Sequence, residues 1–430
     1  MVNNKRVSLN LNIRGLTKSP TLAINELSKQ LEKEGKTIYR MGLGQSPFPV
    51  PVPVVDTLKL HAAEKDYLNV NGLEALRDAV SHFHLQKDNV DIRPENVLIG
   101  PGSKELMFLL QLVYYGDILL PTPCWVSYSP QAKIIGRNIK FIDGNFEGGW
   151  NISPKQLEKF LKHEQDKYRP RLLVLNYPSN PCGGTYNAED LEAIAKIAKK
   201  HEMIILSDEI YGQLHFEGKH VSIARFYPEG TIISSGLSKW CGAGGWRLGT
   251  FAFPSKLHWL LDPMAAVASE TYTSVSAPIQ YAAVTAFRGS IIIERYLFHV
   301  RRILSYLGKN ISDTLINAGF RVHPPSGAFY LFLDFSPFAE KLKKKGVNNN
   351  LALCEKLLSK TGVALLPGVA FHRPHEELTA RLAYVNFDGA KALALSETIP
   401  LNVELPEDLL ALVCEPVFNA VEKIVDWVKQ

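Results

Sequence analysis

Between residues 96 and 253 the chain places one brief apolar run after another, each closed by turn residues or by a helical pattern. The runs are 96–100 (NVLIG), 117–121 (DILLP), 140–143 (KFID), 171–176 (RLLVLN), 203–207 (MIILS), 231–235 (TIISS) and 248–253 (LGTFAF). Helical sequence fills 103–115 and 188–201, and Leu106, Leu109, Leu110 and Val113 make an apolar stripe that reads as helix core. Short continuous apolar strands separated by helices predict an α/β fold, a mostly parallel sheet flanked by helices. The pattern then changes. Long helical sequence over 279–318 is followed by 327–334 (GAFYLFLD), a helix near 351–361 and 381–387 (RLAYVNF), which predicts a smaller α+β domain. The proline-rich stretch 47–53 (PFPVPVP) reads as a non-helical linker, because each proline lacks an amide donor and restrains its predecessor. The expected organisation is 1–50 as an N-terminal segment belonging to the small domain, 51–310 as the large domain and 311–430 as the small C-terminal domain.

Composition excludes several classes. The 430 residues carry a net charge of only +5, which gives no reason to expect nucleic acid or an acidic membrane as partner. With 46% apolar and 21% charged residues there is ample material for a core, so global disorder is excluded. No run of about 18 apolar residues predicts a membrane span, and the opening MVNNKRVSLNLNIRG lacks a signal-peptide core. Cys124, Cys182, Cys241, Cys354 and Cys414 are odd in number and dispersed, which argues for reduced thiols in a cytoplasmic protein. His61 with Glu64, and His372 with His375, lack a second ligand pair, so no metal is expected. Residues 88–91 read as a polar loop, and 341–345 (KLKKK) as a solvated helix end.

Ligands of open α/β sheets bind beyond the carboxyl ends of the strands. Gly102-Ser103-Lys104 follows the first strand and opens a helix, an arrangement suited to an anion. Asn176 to Gly184 (NYPSNPCGG) is a rigid turn with amides to offer. Asp208-Glu209-Ile210-Tyr211 follows the fifth run. The most informative segment is 236–249 (GLSKWCGAGGWRLG). Its five glycines rule out a helix interior, and its two tryptophans argue for a packed loop facing a ligand.

That segment resembles the pyridoxal-phosphate lysine signature of class I/II aminotransferases. Tyr67 with Gly72-Leu73-Glu74-Ala75-Leu76-Arg77, then Gly102-Ser103-Lys104, Trp125, Asn180-Pro181, Asp208 to Tyr211, Lys239, Arg247 and Arg381 fall in the family's order from Ser19 to Gly389. The resemblance is greatest to the bacterial aspartate/prephenate-type enzymes. It implies fold type I, pyridoxal 5′-phosphate as cofactor and a homodimer with shared active sites. By position, Lys239 forms the Schiff base and moves the substrate's α-proton. Asp208 pairs with the pyridine nitrogen, and opposite charge keeps that nitrogen protonated. Tyr211 and Asn180 bond the cofactor 3′ oxygen, and Trp125 stacks on the ring. Gly102, Ser103, Lys104 and Arg247 hold the phosphate, joined by Tyr67 and Ser274 of the partner subunit. Arg381 grips the α-carboxylate beside the backbone of Gly44, its planar fork matching that group. Lys239 needs a lowered pKa, and Arg247 is expected to supply part of it.

The chain departs from the family at three places. The usual phosphate-binding serine is Gly236, so Ser234, Ser235 or Ser238 is expected to compensate. Cys182 replaces a threonine. Residues 391–415 exceed the usual ending and read as added surface. The implied activity is transamination to a 2-oxo acid such as 2-oxoglutarate. Lys104 favours an aspartate- or glutamate-like donor, since it stands where that branch meets a side-chain carboxylate. Aromatic, alanine or kynurenine-type donors remain open, with Tyr39, Phe48, Tyr67 and Phe371 as candidate pocket walls. A β-lyase on the same fold is a further alternative. A non-catalytic sensor is disfavoured, because about twenty residues before the fold leave no room for a DNA-binding domain.

Overall fold

The computed structural model describes residues 10–16, 19–406 and 408–430; the first nine residues of the expected N-terminal segment lie outside them. The central sheet is built from β1 (Val97–Gly100), β2 (Asp117–Thr122), β3 (Ile139–Asp143), β4 (Arg171–Asn176), β5 (Ile204–Asp208), β6 (Thr231–Gly236) and β7 (Gly249–Ala252), in spatial order β1-β7-β6-β5-β4-β2-β3. From β6 to β3 every pairing is parallel, whereas β7 is antiparallel to both of its neighbours. The reversal follows from the β6–β7 connection, which holds one short 3-10 turn and no crossover helix to bring the chain back parallel. Both sheet faces are buried. Leu172 and Val174 of β4 join the core under helices Ser103–Val113 and His258–Thr271, while Leu173 and Leu175 join the core under Pro154–His163 and Ala188–Lys200.

A second sheet holds β8 (Tyr330–Asp334), β9 (Leu366–Pro367) and β10 (Thr379–Ala383), in the order β8-β10-β9 and wholly antiparallel. The N-terminal segment joins it. Tyr39 bridges Val363, and the Ala383 amide donates to the Met41 carbonyl at 2.8 Å. Helix Ile291–Asn317 runs across the expected boundary at 310/311.

Several sequence readings are corrected. The proline-rich stretch is not wholly a linker, since helix Val52–Leu60 begins inside it with Pro53 in the first turn, where an amide has no helical partner anyway. The long pattern over 279–318 is two helices, Ala277–Arg288 and Ile291–Asn317. Gly289 at φ +70° ends the first, and the Ser290 side chain accepts from Ile293 N to open the second. Asp88 is not in a polar loop; it is buried at the end of helix Glu74–Asp88, 2.8 Å from His84 Nδ1. The stretch 391–415 is more than added surface. Leu410 and Cys414 are fully buried, and Arg302 donates to the carbonyls of Ile399, Pro400 and Val403.

Candidate active site

The parallel strands β2, β4, β5 and β6 deliver their carboxyl ends to one edge of the sheet, and a cleft of about 440 Å³ opens there. Asn176, Asp208 and the loop after Gly236 come from that edge. Gly44, Tyr330 and Arg381 reach the cleft from the side of the smaller sheet.

Lys239 stands in the cleft with its Nζ donating to the Gly44 carbonyl at 2.9 Å. Desolvation, then the Arg381 guanidinium, lowers its pKa to about 8, while Asp208 opposes. Arg247, expected to supply part of that shift, contributes to it, with less effect than burial, Arg381 and Lys104. Asp208 is 3% exposed. Burial pushes it up to about 6, restrained by the Tyr128 hydroxyl donating at 2.5 Å, by the Ile210 amide and by Ser234 Oγ at 3.3 Å. The Tyr211 and Tyr330 hydroxyls share a hydrogen bond of 2.8 Å.

Arg381 lies mid-strand in β10, 1% exposed. Its Nη1 donates to Asn180 Oδ1 at 2.9 Å and its Nη2 to the Gly42 carbonyl at 2.6 Å, while the rings of Tyr330 and Phe371 lie 4.7 and 5.0 Å from Cζ. Its Nε is buried without a partner among the described residues, and the residue lines the cleft.

At the opposite end, Gly102 (φ +88°) precedes helix Ser103–Val113. A Cβ on Gly102 would fall 2.3 Å from Arg247 Nη2, so the guanidinium lies directly on the turn; it also donates to the carbonyls of Gly244 and Pro101. Gly249 has the same function for the sheet, since a Cβ there would meet the Ser103 amide at 2.1 Å. Of the three serines expected to replace the hydroxyl missing at Gly236, Ser238 lines the cleft and Ser234 is occupied by Asp208; Ser235 is not among the cleft residues. Lys104 reaches over Trp125, its Nζ 5.1 Å from the ring, and partial desolvation and Arg247 lower its pKa.

Tyr67 is 89% exposed and Ser274 half-buried, and neither lines the cleft of its own chain. Tyr39, Phe48 and Phe371 do not wall the cleft either. Phe48 packs on Phe387, and Phe371 backs Arg381. Sequence reasoning missed Tyr128 and Tyr330. For Tyr330 a signal existed, because period-two alternation in β8 places it on the face opposite Leu331 and Leu333. Tyr128 carried none. Among the described residues, Asp88, Glu209 and His220 gather metal-type atoms within 4.8 Å of one another. Glu209 is already satisfied there by Ser207 Oγ (2.7 Å), Ser222 Oγ (2.6 Å) and His220 Nε2 (2.8 Å), which makes it half of a buried ion pair. Burial alone would pull His220 down, but the Glu209 carboxylate leaves it raised.

The profile of the family "Aminotransferase class I and II" matches residues 38–387. The chain belongs to this aminotransferase family. This aminotransferase is 32% identical over 382 residues to the aspartate aminotransferase of Geobacillus stearothermophilus, covering 86% of this chain and 93% of the relative. It is 28% identical over 368 residues to the aspartate/prephenate aminotransferase of Thermus thermophilus, covering 84% and 91%. Among solved structures, Thermus thermophilus aspartate aminotransferase with maleate superposes with a TM-score of 0.83 at 25% identity, covering 98% of this chain and 99% of that one. The fold is therefore that of a fold type I transferase, and the enzyme is a transaminase of a pyridoxal-phosphate-dependent family. The cleft of this aminotransferase fits such a group. It offers amides, a hydroxyl and cations for a phosphate at the Gly102 turn, a carboxylate at Asp208 for a cationic ring nitrogen, and between them an amine of lowered pKa.

Proposed function

We propose that this aminotransferase carries pyridoxal 5′-phosphate on Lys239 and takes amino groups from an aspartate- or glutamate-like L-amino acid to a 2-oxo acid such as 2-oxoglutarate. The observation that carries the substrate reading is that one cleft holds two cations for two carboxylates, Arg381 with its unpartnered Nε and Lys104 over Trp125. The relatives named for aspartate, and one from Streptococcus mutans named for asparagine, agree with a donor of that size.

Bound pyridoxal phosphate supplies the electron sink. Gly102, Ser103, Ser238 and Arg247 would hold its phosphate, Asp208 its ring nitrogen, Tyr211 and Asn180 its 3′ oxygen, and Trp125 the ring face. The chain's own residues do the rest. Arg381 fixes the donor's α-carboxylate through charge-assisted bonds while Asn180, Gly42, Tyr330 and Phe371 keep its fork from turning. Lys239 Nζ, with a pKa near 8, has a free lone pair in an appreciable fraction of molecules at neutral pH. It is the base positioned to take the donor's α-proton and return it. We also read the enzyme as a homodimer in which Tyr67 and Ser274 complete the partner's phosphate site. The free, buried cysteines suit a cytoplasmic setting, and no described helix is long and apolar enough to cross a membrane.

Assaying a panel of donors against 2-oxoglutarate tests the reading. Aspartate and glutamate should give the highest kcat/KM; a preference for phenylalanine, alanine or kynurenine would reject it.

A further inference from the structure

Tyr330 has no part in the phosphate, ring or proton-transfer assignments, yet it touches three of the groups they depend on. Its hydroxyl shares the 2.8 Å hydrogen bond with Tyr211, and both residues are buried. Its ring lies 4.7 Å from Arg381 Cζ. A Cβ built on Gly44 would fall 2.0 Å from the Tyr330 hydroxyl, so that oxygen is seated against the residue whose carbonyl receives Lys239 Nζ. A phenol has one proton to donate. If Tyr211 gives its proton to the cofactor's 3′ oxygen, it has none for Tyr330, and the bond between them requires Tyr330 to be the donor.

We infer that Tyr330 is a positioning residue: its hydroxyl donates to Tyr211 and turns the Tyr211 proton toward the cofactor, while its ring fixes the plane of the Arg381 guanidinium. The inference rests on the proposed cofactor site. Hydrogen bonds in a chain strengthen one another by roughly 10–30%, so Tyr211 donates better with Tyr330 behind it. A donor to the 3′ oxygen stabilises its negative charge and loosens the proton shared beside it. Without the Tyr330 hydroxyl, the bound chromophore holds that proton to higher pH. The two halves of the side chain therefore act on different observables.

The test uses the holoenzyme as wild type, Tyr330→Phe and Tyr330→Leu. Unfolding midpoint and bound cofactor content serve as checks on folding. One measurement is the pH at which the bound chromophore changes its absorption; the other is the dissociation constant of maleate. Tyr330→Phe keeps the ring and should raise the titration midpoint by about 0.2–0.6 of a pH unit, with maleate binding within about twofold of wild type. Tyr330→Leu should also weaken maleate binding by roughly 3- to 30-fold, the range of a desolvated cation–π contact. A Tyr330→Phe titration that coincides with wild type overturns the inference, as does a Tyr330→Leu enzyme that binds maleate like wild type. Absence of any chromophore in the wild type overturns the cofactor site as well, whereas a normal wild-type titration unmoved by Tyr330→Phe overturns this inference alone.

Discussion

Asp208 and Lys239 carry opposite charges, and desolvation in the cleft pushes both toward neutrality, to about 6 and about 8. For Asp208 the folded pKa lies above the ordinary carboxyl value of 3.8. Its relative stabilisation is thus complete below that value and is lost as pH rises through 6, at a cost of about 3 kcal/mol once the group is fully ionised. Asp208→Asn removes the titration and keeps an acceptor for Tyr128. In the cofactor-free protein, the stability of this variant relative to wild type should grow by roughly 1 kcal/mol between about pH 5 and about pH 7.5. With pyridoxal phosphate bound, the order should reverse, since the ring nitrogen loses its counter-charge. Chemical unfolding at both pH values measures this; a gap that does not change with pH would refute the Asp208 assignment. A second pair of substitutions separates the two substrate cations. Arg381→Ala should weaken every donor alike, by about 2–5 kcal/mol in kcat/KM, because all donors present an α-carboxylate. Lys104→Ala should cost aspartate and glutamate far more than alanine. A uniform loss with poorer cofactor retention would place Lys104 on the phosphate instead, and an unchanged enzyme would leave it in solvent.

The loop between β6 and β7 shows why some of the site could be read from sequence and some could not. Lys239, Arg247 and the surrounding glycines were legible because a turn so dense in glycine cannot be a helix interior, and one with two tryptophans is too apolar to be left in solvent. Asp208 was legible because it closes a parallel strand, and Asn180 because it lies in the rigid turn just after one. The serine expected to replace the missing hydroxyl was not, since Ser234, Ser235 and Ser238 differ only in where the strand ends. The structure ends β6 at Gly236, which leaves Ser234 inside the sheet beside Asp208 and Ser238 in the cleft. Gly236 itself is fixed by its surroundings, with φ +153° and a would-be Cβ 2.7 Å from the Leu248 carbonyl. Restoring the common serine there should therefore fail. Gly236→Ser is expected to destabilise the protein by about 1–3 kcal/mol through backbone strain without improving cofactor retention. Ser238→Ala should leave stability near wild type and weaken the cofactor by roughly 10- to 100-fold, the loss of a hydrogen bond to a charged group. Equilibrium dialysis of pyridoxal phosphate against both variants decides this, and tighter binding by Gly236→Ser would contradict the geometry. Tyr128 escaped for a different reason: it sits between two serines, and nothing local marks a tyrosine whose hydroxyl serves a residue 80 positions away. The alternation in β8 sets Tyr330 apart from Leu331 and Leu333, but it does not tell which hydroxyl, 119 positions away, it meets.

The two sheets and the N-terminal segment form one cleft, but the end of that cleft proposed for the phosphate remains open in a single chain. Arg247 is exposed, Gly245 beside it is exposed, and Tyr67, which the family resemblance assigns to the phosphate, projects into solvent. Exposed in its own chain, Tyr67 is free to reach the site of a second copy, as the family resemblance implies. The proposed dimer then contains two sites, each drawing Lys239 from one subunit and Tyr67 from the other. This makes a prediction that no single-chain reading shares. Lys239→Ala is inactive because the site lacks its base, and Tyr67→Ala should lose most activity because the opposite site lacks its phosphate contact. In a heterodimer of the two variants, one site receives both substitutions and the other receives neither. After subunit exchange, verified by mass-tagged chains, a statistical mixture should regain about one quarter of wild-type activity per site, because half of the dimers carry one intact site each. Cofactor titration should show tight binding in that same fraction. If exchange is complete and activity stays at the level of the parents although Tyr67→Ala alone is severely impaired, each subunit works with its own residues and the shared site is wrong.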